Sequence, residues 1–124
     1  LHREAEDKKR WNTLHPDSAN KRSYLQTCLN PENGPVIAVS DYVKLVAEQI
    51  APYIDCQFMA LGTDGFGRSE TRKELRTFFE VNRFYIILAA MESLKTQGLV
   101  NNSDVKKVIS TYNLDPEKPN PIKV

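Results

Sequence analysis

A glycine-rich segment in the middle of the chain has residue types that could bind a phosphate. Gly62 to Ser69 read G-x-x-x-x-G-R-S, one residue away from the phosphate-binding loop G-x-x-x-x-G-K-[ST]. The segment follows a predicted strand and precedes a predicted helix, which is the context that such a loop requires. Glycines permit the tight backbone conformation, and the amides at the start of the next helix favour an anion.

Two residues of this segment count against phosphate binding. Arg68 stands where the motif has a lysine, and the planar guanidinium does not replace a compact ammonium at close quarters. Asp64 places a negative charge inside the proposed cradle. The sequence therefore favours a structural role, in which the glycines allow a tight turn, Phe66 packs and Asp64 accepts hydrogen bonds from loop amides. A loop at the carboxyl end of a strand is still where α/β proteins place contacts.

The other candidate groups match no catalytic or metal-binding pattern. Ser40 and Ser69 stand where helix caps are expected, and the sequence has no G-x-S-x-G nucleophile motif. The histidines and cysteines lack the spacing of a zinc site; they are His2, His15, Cys28 and Cys56. We expect two reduced, packed thiols rather than a disulfide.

The composition is that of one soluble globular domain. Of the 124 residues, 40% are hydrophobic and 27% are charged, which excludes the disordered and fibrous classes. The 17 basic residues nearly balance the 16 acidic ones, so neither nucleic acid nor an acidic membrane is an expected partner. No apolar run approaches the ~20 residues of a membrane span and no secretion signal is recognisable. We expect a cytoplasmic protein.

Strand and helix patterns alternate, which predicts an α/β domain with a mostly parallel sheet. Two short apolar runs between turn residues, 35–39 and 58–61, are typical of buried parallel strands. Helices are predicted over 1–14, 19–29, 41–50, 71–79, 82–97 and 102–112, with a turn at 30–34 and an irregular tail at 115–124. Two strands do not cover several amphipathic helices, so either further strands are not recognisable from the pattern or the chain lacks them.

Several helix boundaries can be predicted from capping residues. Thr71 and Glu74 have the spacing of a capping box, and Asn82 precedes the next apolar helix, which Gly98 is expected to end. Asn102 or Ser103 is expected to cap the last helix, and Ser40 or Asp41 the helix after the first strand. The face of that helix expected to point inwards comprises Tyr42, Leu45, Val46, Gln49 and Ile50.

The glycine-rich segment also carries a resemblance to a known enzyme family. The string LGTDGFGRS at 61–69 resembles the homodimeric, bacterial-type pyruvate dehydrogenase E1 components. The resemblance covers nearly the whole chain and continues in Leu14-His15-Pro16, Gly34 to Ala38, Asp41-Tyr42, Thr71-Arg72, Leu75-Arg76, Phe79-Glu80-Val81 and Asn120-Pro121. It implies an oxidoreductase that decarboxylates pyruvate on thiamine diphosphate with Mg²⁺ and reductively acetylates the lipoyl group of the E2 acetyltransferase.

The resemblance places residues 1–124 in the C-terminal, transketolase C-terminal-like domain, as one partial domain that is incomplete at its N-terminal side. In the family a strand–helix–strand unit precedes the segment similar to Leu1–Trp11. The cofactor lies between the other two domains, so no catalytic, cofactor-binding or metal-binding residue is assigned here, and this fragment is expected to be inactive alone. Its expected role is dimerisation and assembly with the remaining E1 domains, the second E1 subunit and E2. Asp64, Gly65, Phe66, Gly67 and Arg68 are the candidate interface loop. The alternative is a generic α/β interaction or phosphate-binding module that uses Gly62 to Ser69.

Overall fold

The computed structural model describes residues 1–30 and 34–124. In this part of the chain the elements are α1 (His2–Leu14), α2 (Tyr24–Leu29), β1 (Val36–Val39), α3 (Lys44–Glu48), β2 (Phe58–Leu61), α4 (Arg72–Phe78), α5 (Arg83–Thr96) and α6 (Asn102–Thr111), with 3-10 turns at Ala51–Tyr53 and Pro121–Lys123. The turn predicted at 30–34 falls mostly on residues 31–33, which lie outside the described residues. No helix of the described ranges is long and apolar enough to cross a membrane.

The two strands pair in parallel, which confirms the α/β class. Val36 is opposite Phe58 and Val39 is opposite Leu61, and the ladder extends by a hydrogen bond from the Ser40 amide to the Leu61 carbonyl at 3.1 Å. α5 packs on both strands and α3 packs on β2. The strand side chains are half-buried, apart from the exposed Val39, although continuous apolar runs are typical of strands covered on both faces.

Local capping sets most helix starts. Ser23 forms a capping box with Gln26, so α2 begins at Tyr24 and not at residue 19 as predicted. The predicted capping box of Thr71 and the predicted cap at Asn82 are both confirmed. The predicted cap of α6, Asn102 or Ser103, is wrong. The N-cap is Asn101, whose side chain accepts a hydrogen bond from the Asp104 amide.

Gly98 ends α5 as predicted. Its φ of +77° is in the left-handed region, which glycine adopts without the steric cost of a Cβ atom. Its amide donates to the Lys95 carbonyl at 2.9 Å.

The helix after β1 differs from the prediction in its cap and in its burial. α3 begins at Lys44, and its N-cap residue Val43 makes no capping bond. The predicted cap Ser40 makes a turn instead, in which its hydroxyl accepts a bond from the Tyr42 amide at 3.2 Å. Most of the face predicted to be buried is open: Tyr42, Leu45 and Val46 are 72%, 65% and 53% exposed, and Gln49 is exposed as well. Ile50 is half-buried, as predicted for this face.

The described core lies in two places. Ala5, Leu25, Tyr53 and Ile54 form one buried cluster, which holds α1 and α2 against the 3-10 turn before β2. α6 packs on α5 at the other end, where the Phe84 and Tyr112 rings stack with centroids 4.7 Å apart. The loop between β2 and α4 lies outside both clusters, so its position depends on local contacts.

Candidate functional site: the loop after strand β2

The loop after β2 is held against the loop after β1. The Thr63 amide donates to the Tyr42 carbonyl at 2.9 Å, and the Thr63 hydroxyl donates to the Asp41 carbonyl at 2.8 Å. A Cβ atom at Gly62 would lie 2.5 Å from the Tyr42 carbonyl oxygen. Glycine is therefore required at residue 62 for the close approach of the two backbones.

The Asp64 carboxylate occupies the start of α3. It accepts a hydrogen bond from the Lys44 amide at 3.4 Å, where the prediction was a bond to amides of its own loop. The negative charge therefore lies beside the free amides of a helix start, which it stabilises. The Asp64 carboxylate already accepts the hydrogen bond that a phosphate would accept here, and its negative charge would repel a phosphate.

Phe66 and Gly67 form the open tip of the loop. Phe66 is 79% exposed, so the prediction that it packs is wrong. Apart from its chain neighbours, no atom of the described residues lies within 4 Å of the position that a Cβ of Gly67 would take. Gly65, by contrast, contacts the C-terminal 3-10 turn: a Cβ there would lie 2.7 Å from the Pro121 carbonyl oxygen. Gly65 is thus packed against the C-terminal turn, whereas Gly67 is open to solvent.

Arg68 is turned toward α4. Its guanidinium carbon lies 4.1 Å from the centroid of the Phe78 ring, a distance at which a cation is attracted to the ring face. Lys118 lies 5.3 Å from the same centroid, and its ammonium donates to the Phe78 carbonyl at 2.8 Å and to the Glu80 carboxylate at 2.9 Å. Arg68 therefore belongs to a cluster of cations around Phe78.

These contacts give the loop a structural role. Among the described residues, no three His, Cys, Asp or Glu side chains lie together as a metal ion would require. Cys28 and Cys56 are free thiols, but Cys28 is exposed, so the expectation that both are packed is wrong for Cys28.

The prediction missed a groove beside α4. Its basic residues include Arg68, Arg72 and Arg76, which recur at four-residue spacing. That spacing puts Arg72 and Arg76 on one face of α4, and it is the signal in the sequence that could have pointed to the groove. Arg83, at the start of α5, extends the basic side.

Comparison with known proteins agrees with this geometry. Residues 9–82, more than half of the chain, match the transketolase-like TK C-terminal domain. The chain belongs to this family. The α/β class and the parallel strand pair flanked by helices fit the family assignment, so the predicted fold class is confirmed.

The relatives of this transketolase-like domain are longer proteins. The chain is 48% identical over all its 124 residues to the pyruvate dehydrogenase E1 component of Cupriavidus necator. It is 50% identical over 91% of its length to that of Pseudomonas aeruginosa, and 39% identical over 98% to that of Escherichia coli K12. The resemblance to pyruvate dehydrogenase E1 components is confirmed. The chain spans 13% to 14% of the length of these relatives.

Proposed function

We propose that this chain is the C-terminal domain of a pyruvate dehydrogenase E1 component. That enzyme decarboxylates pyruvate with thiamine diphosphate and Mg²⁺ and reductively acetylates the lipoyl group of E2 in the cytoplasm. Support comes from identities of 48% and 50% to E1 components over all or most of this chain. Within the enzyme the domain is non-catalytic, and it serves dimerisation and assembly.

The residues present here do not fit thiamine diphosphate. A diphosphate needs backbone amides or cations that face it, but the Asp64 carboxylate lies at the helix start beside the loop and Arg68 stacks on Phe78. The bond-making steps of the reaction are therefore assigned to other domains of the enzyme.

The observation that supports the interface role is the open apolar face of α3. Tyr42, Leu45 and Val46 are each more than half exposed, and adjoining apolar surface of this kind marks protein–protein contacts. The loop after β2 is anchored just before this helix, because the Thr63 amide donates to the carbonyl of Tyr42, two residues before Lys44. Residues 64–68 and α3 thus belong to one surface, which we assign to the contact with the remaining E1 domains and the second subunit.

The interface role can be tested with the double variant Leu45→Asp/Val46→Asp in the full-length gene product. Burying the two new carboxylates in the interface costs free energy of desolvation. We therefore expect the dimer dissociation constant, measured by sedimentation, to rise about tenfold or more. The matched control is Leu14→Asp/Leu99→Asp, at two exposed leucines outside α3, which should leave the dimer unchanged. An unaltered dimer in the first variant, or equal losses in both, contradicts the proposal.

Phosphate titration separates this proposal from the alternative of a phosphate-binding module. A module that used Gly62 to Ser69 would bind inorganic phosphate and lose that affinity in Arg68→Ala. The position of Arg68 over Phe78 leads us to expect no phosphate binding in either protein by calorimetry.

A further inference from the structure

A continuous groove runs along α4, from the loop after β2 to the start of α5. Two adjoining cavities of about 500 and 800 Å³ share Asp41, Arg72, Arg76 and Val81 as lining residues. The first reaches the loop after β2 and the second reaches the start of α5. Since the lining residues extend from the loop after β2 along α4 to the start of α5, the groove suits a segment of chain better than a single small ion.

The basic side of the groove is not neutralised within the described residues. Among the described residues, neither Arg72 nor Arg76 forms an ion pair. Arg83 stacks on the Phe84 ring and forms no ion pair with a described carboxylate. All three are exposed side chains. These guanidinium groups are therefore free to pair with carboxylates of another molecule.

Two nearby carboxylates bind other partners. Glu74 is held by Thr71 in the capping box of α4, and Glu80 pairs with Lys118. Two carboxylates, Asp41 and Glu70, line the groove among the described residues. Four arginines and one lysine line the same surface, so it is locally positive although the chain as a whole has a net charge of +1.

The floor of the groove is apolar. Val39, Phe84 and Ile86 line the wider cavity, and Leu75 and Phe79 line the narrower one. Arginine is enriched where a surface combines apolar contact with carboxylate recognition. A ligand that fits both features carries acidic and apolar residues along one segment.

We propose that this groove binds an acidic peptide segment of a partner protein, with its carboxylates on Arg72, Arg76 and Arg83 and its apolar side chains on the floor. Charge complementarity identifies the occupant, because an apolar floor alone would accept any apolar chain. The inference goes beyond the proposed function. The groove meets the proposed interface loop at Gly65, Gly67 and Arg68, but the peptide contacts are assigned to Arg72, Arg76 and Arg83, which lie outside that loop and outside α3.

The test measures binding of a fluorescently labelled peptide of alternating Glu and Leu to the full-length gene product by anisotropy. We expect saturable binding that weakens as salt is added, because exposed ion pairs are screened. Arg72→Gln/Arg76→Gln should raise the dissociation constant about tenfold. Arg72→Lys/Arg76→Lys should restore part of the affinity, since the charge returns without the bidentate geometry.

The matched control is Arg3→Gln/Arg10→Gln, which removes the same charge from two exposed positions of α1 and should leave the affinity unchanged. Circular dichroism checks that all three double variants fold. Absence of binding, equal loss in Arg72→Gln/Arg76→Gln and Arg3→Gln/Arg10→Gln, or equal affinity for a Lys-Leu peptide overturns the proposal. Competition by inorganic phosphate at the same concentration as free peptide also overturns it, as does self-association that Arg72→Gln/Arg76→Gln abolishes.

Discussion

Gly65 lies directly against the backbone of Pro121, and this contact joins the loop after β2 to the C-terminal end of the chain. A Cβ atom at residue 65 would be 2.7 Å from the Pro121 carbonyl oxygen and 3.3 Å from the Ile122 Cα. The φ angle of Gly65 is +112°, which L residues rarely adopt. Space and backbone conformation therefore both require glycine at this position.

Gly65→Ala should lower the free energy of unfolding by about 1–3 kcal/mol, because the new side chain combines a strained φ with a backbone clash. Urea denaturation measures the change. Gly67→Ala, two residues along the same loop, has open space around its Cβ and should change the free energy by less than about 0.5 kcal/mol. Equal effects at the two glycines would show that the loop is not held on the C-terminal turn.

Asn30 and Asp55 join the end of α2 to the segment before β2. The Asn30 amide nitrogen Nδ2 donates to the Asp55 carboxylate at 2.5 Å, and the Asp55 backbone amide donates to Asn30 Oδ1 at 3.1 Å. Asn30→Ala removes both hydrogen bonds and should lower the free energy of unfolding by about 1–2 kcal/mol, since Asn30 is only 8% exposed while water can reach the amide of the exposed Asp55. Thermal unfolding tests this against Asn20→Ala, at an exposed residue, which we expect to be neutral. A neutral Asn30→Ala would mean that water replaces the side chain.

Features set by neighbouring residues could be predicted from the sequence. The two strands were found because each is a short apolar run between turn residues, and the α4 start was found because Thr71 and Glu74 satisfy each other within one turn. The cap at Asn82 has the same local origin. Such signals need no knowledge of the rest of the molecule.

Features that depend on distant residues could not be predicted. The spacing of Leu45 and Val46 indicates which face of α3 is apolar, but burial depends on whether another element covers that face. Asp64 bonds to Lys44, 20 residues away, a contact that the parallel pairing of β1 and β2 creates. Phe66 is apolar, yet no described element reaches the loop tip.

Exposure of the α3 face also predicts a stability result. Leu45→Lys and Val46→Lys should each change the free energy of unfolding of the 124-residue chain by less than about 0.5 kcal/mol, since both side chains are mostly in water. Ile54→Ala should cost about 2–5 kcal/mol, because Ile54 is 8% exposed in the buried cluster. Chemical denaturation of the three variants decides the point. A large loss for Leu45→Lys would mean that this face is covered within the chain.

The capping box of α4 makes helix stability depend on pH. The side-chain hydroxyl and then the backbone amide of Thr71 donate to the Glu74 carboxylate, and these bonds hold its pKa below the ordinary value of 4.5. A carboxyl whose pKa is lower in the folded state stabilises the fold above its unfolded pKa, and the contribution is lost as the pH falls through the lowered value. We therefore expect Glu74→Ala to be less stable than the parent chain at neutral pH, with the difference disappearing in acid.

Removal of the Thr71 hydroxyl tests the cause of that shift. In Thr71→Val the strongest donor to Glu74 is gone, so the pKa of Glu74, followed by NMR titration, should rise toward its ordinary value. The loss of the N-cap should also lower the free energy of unfolding by about 1 kcal/mol at neutral pH. Thr13→Val, which removes a hydroxyl bonded to the Lys9 carbonyl in α1, should leave the Glu74 pKa unchanged. If Thr71→Val leaves that pKa where it was, the lowered value arises from nearby charge, such as Lys73, and not from the capping box.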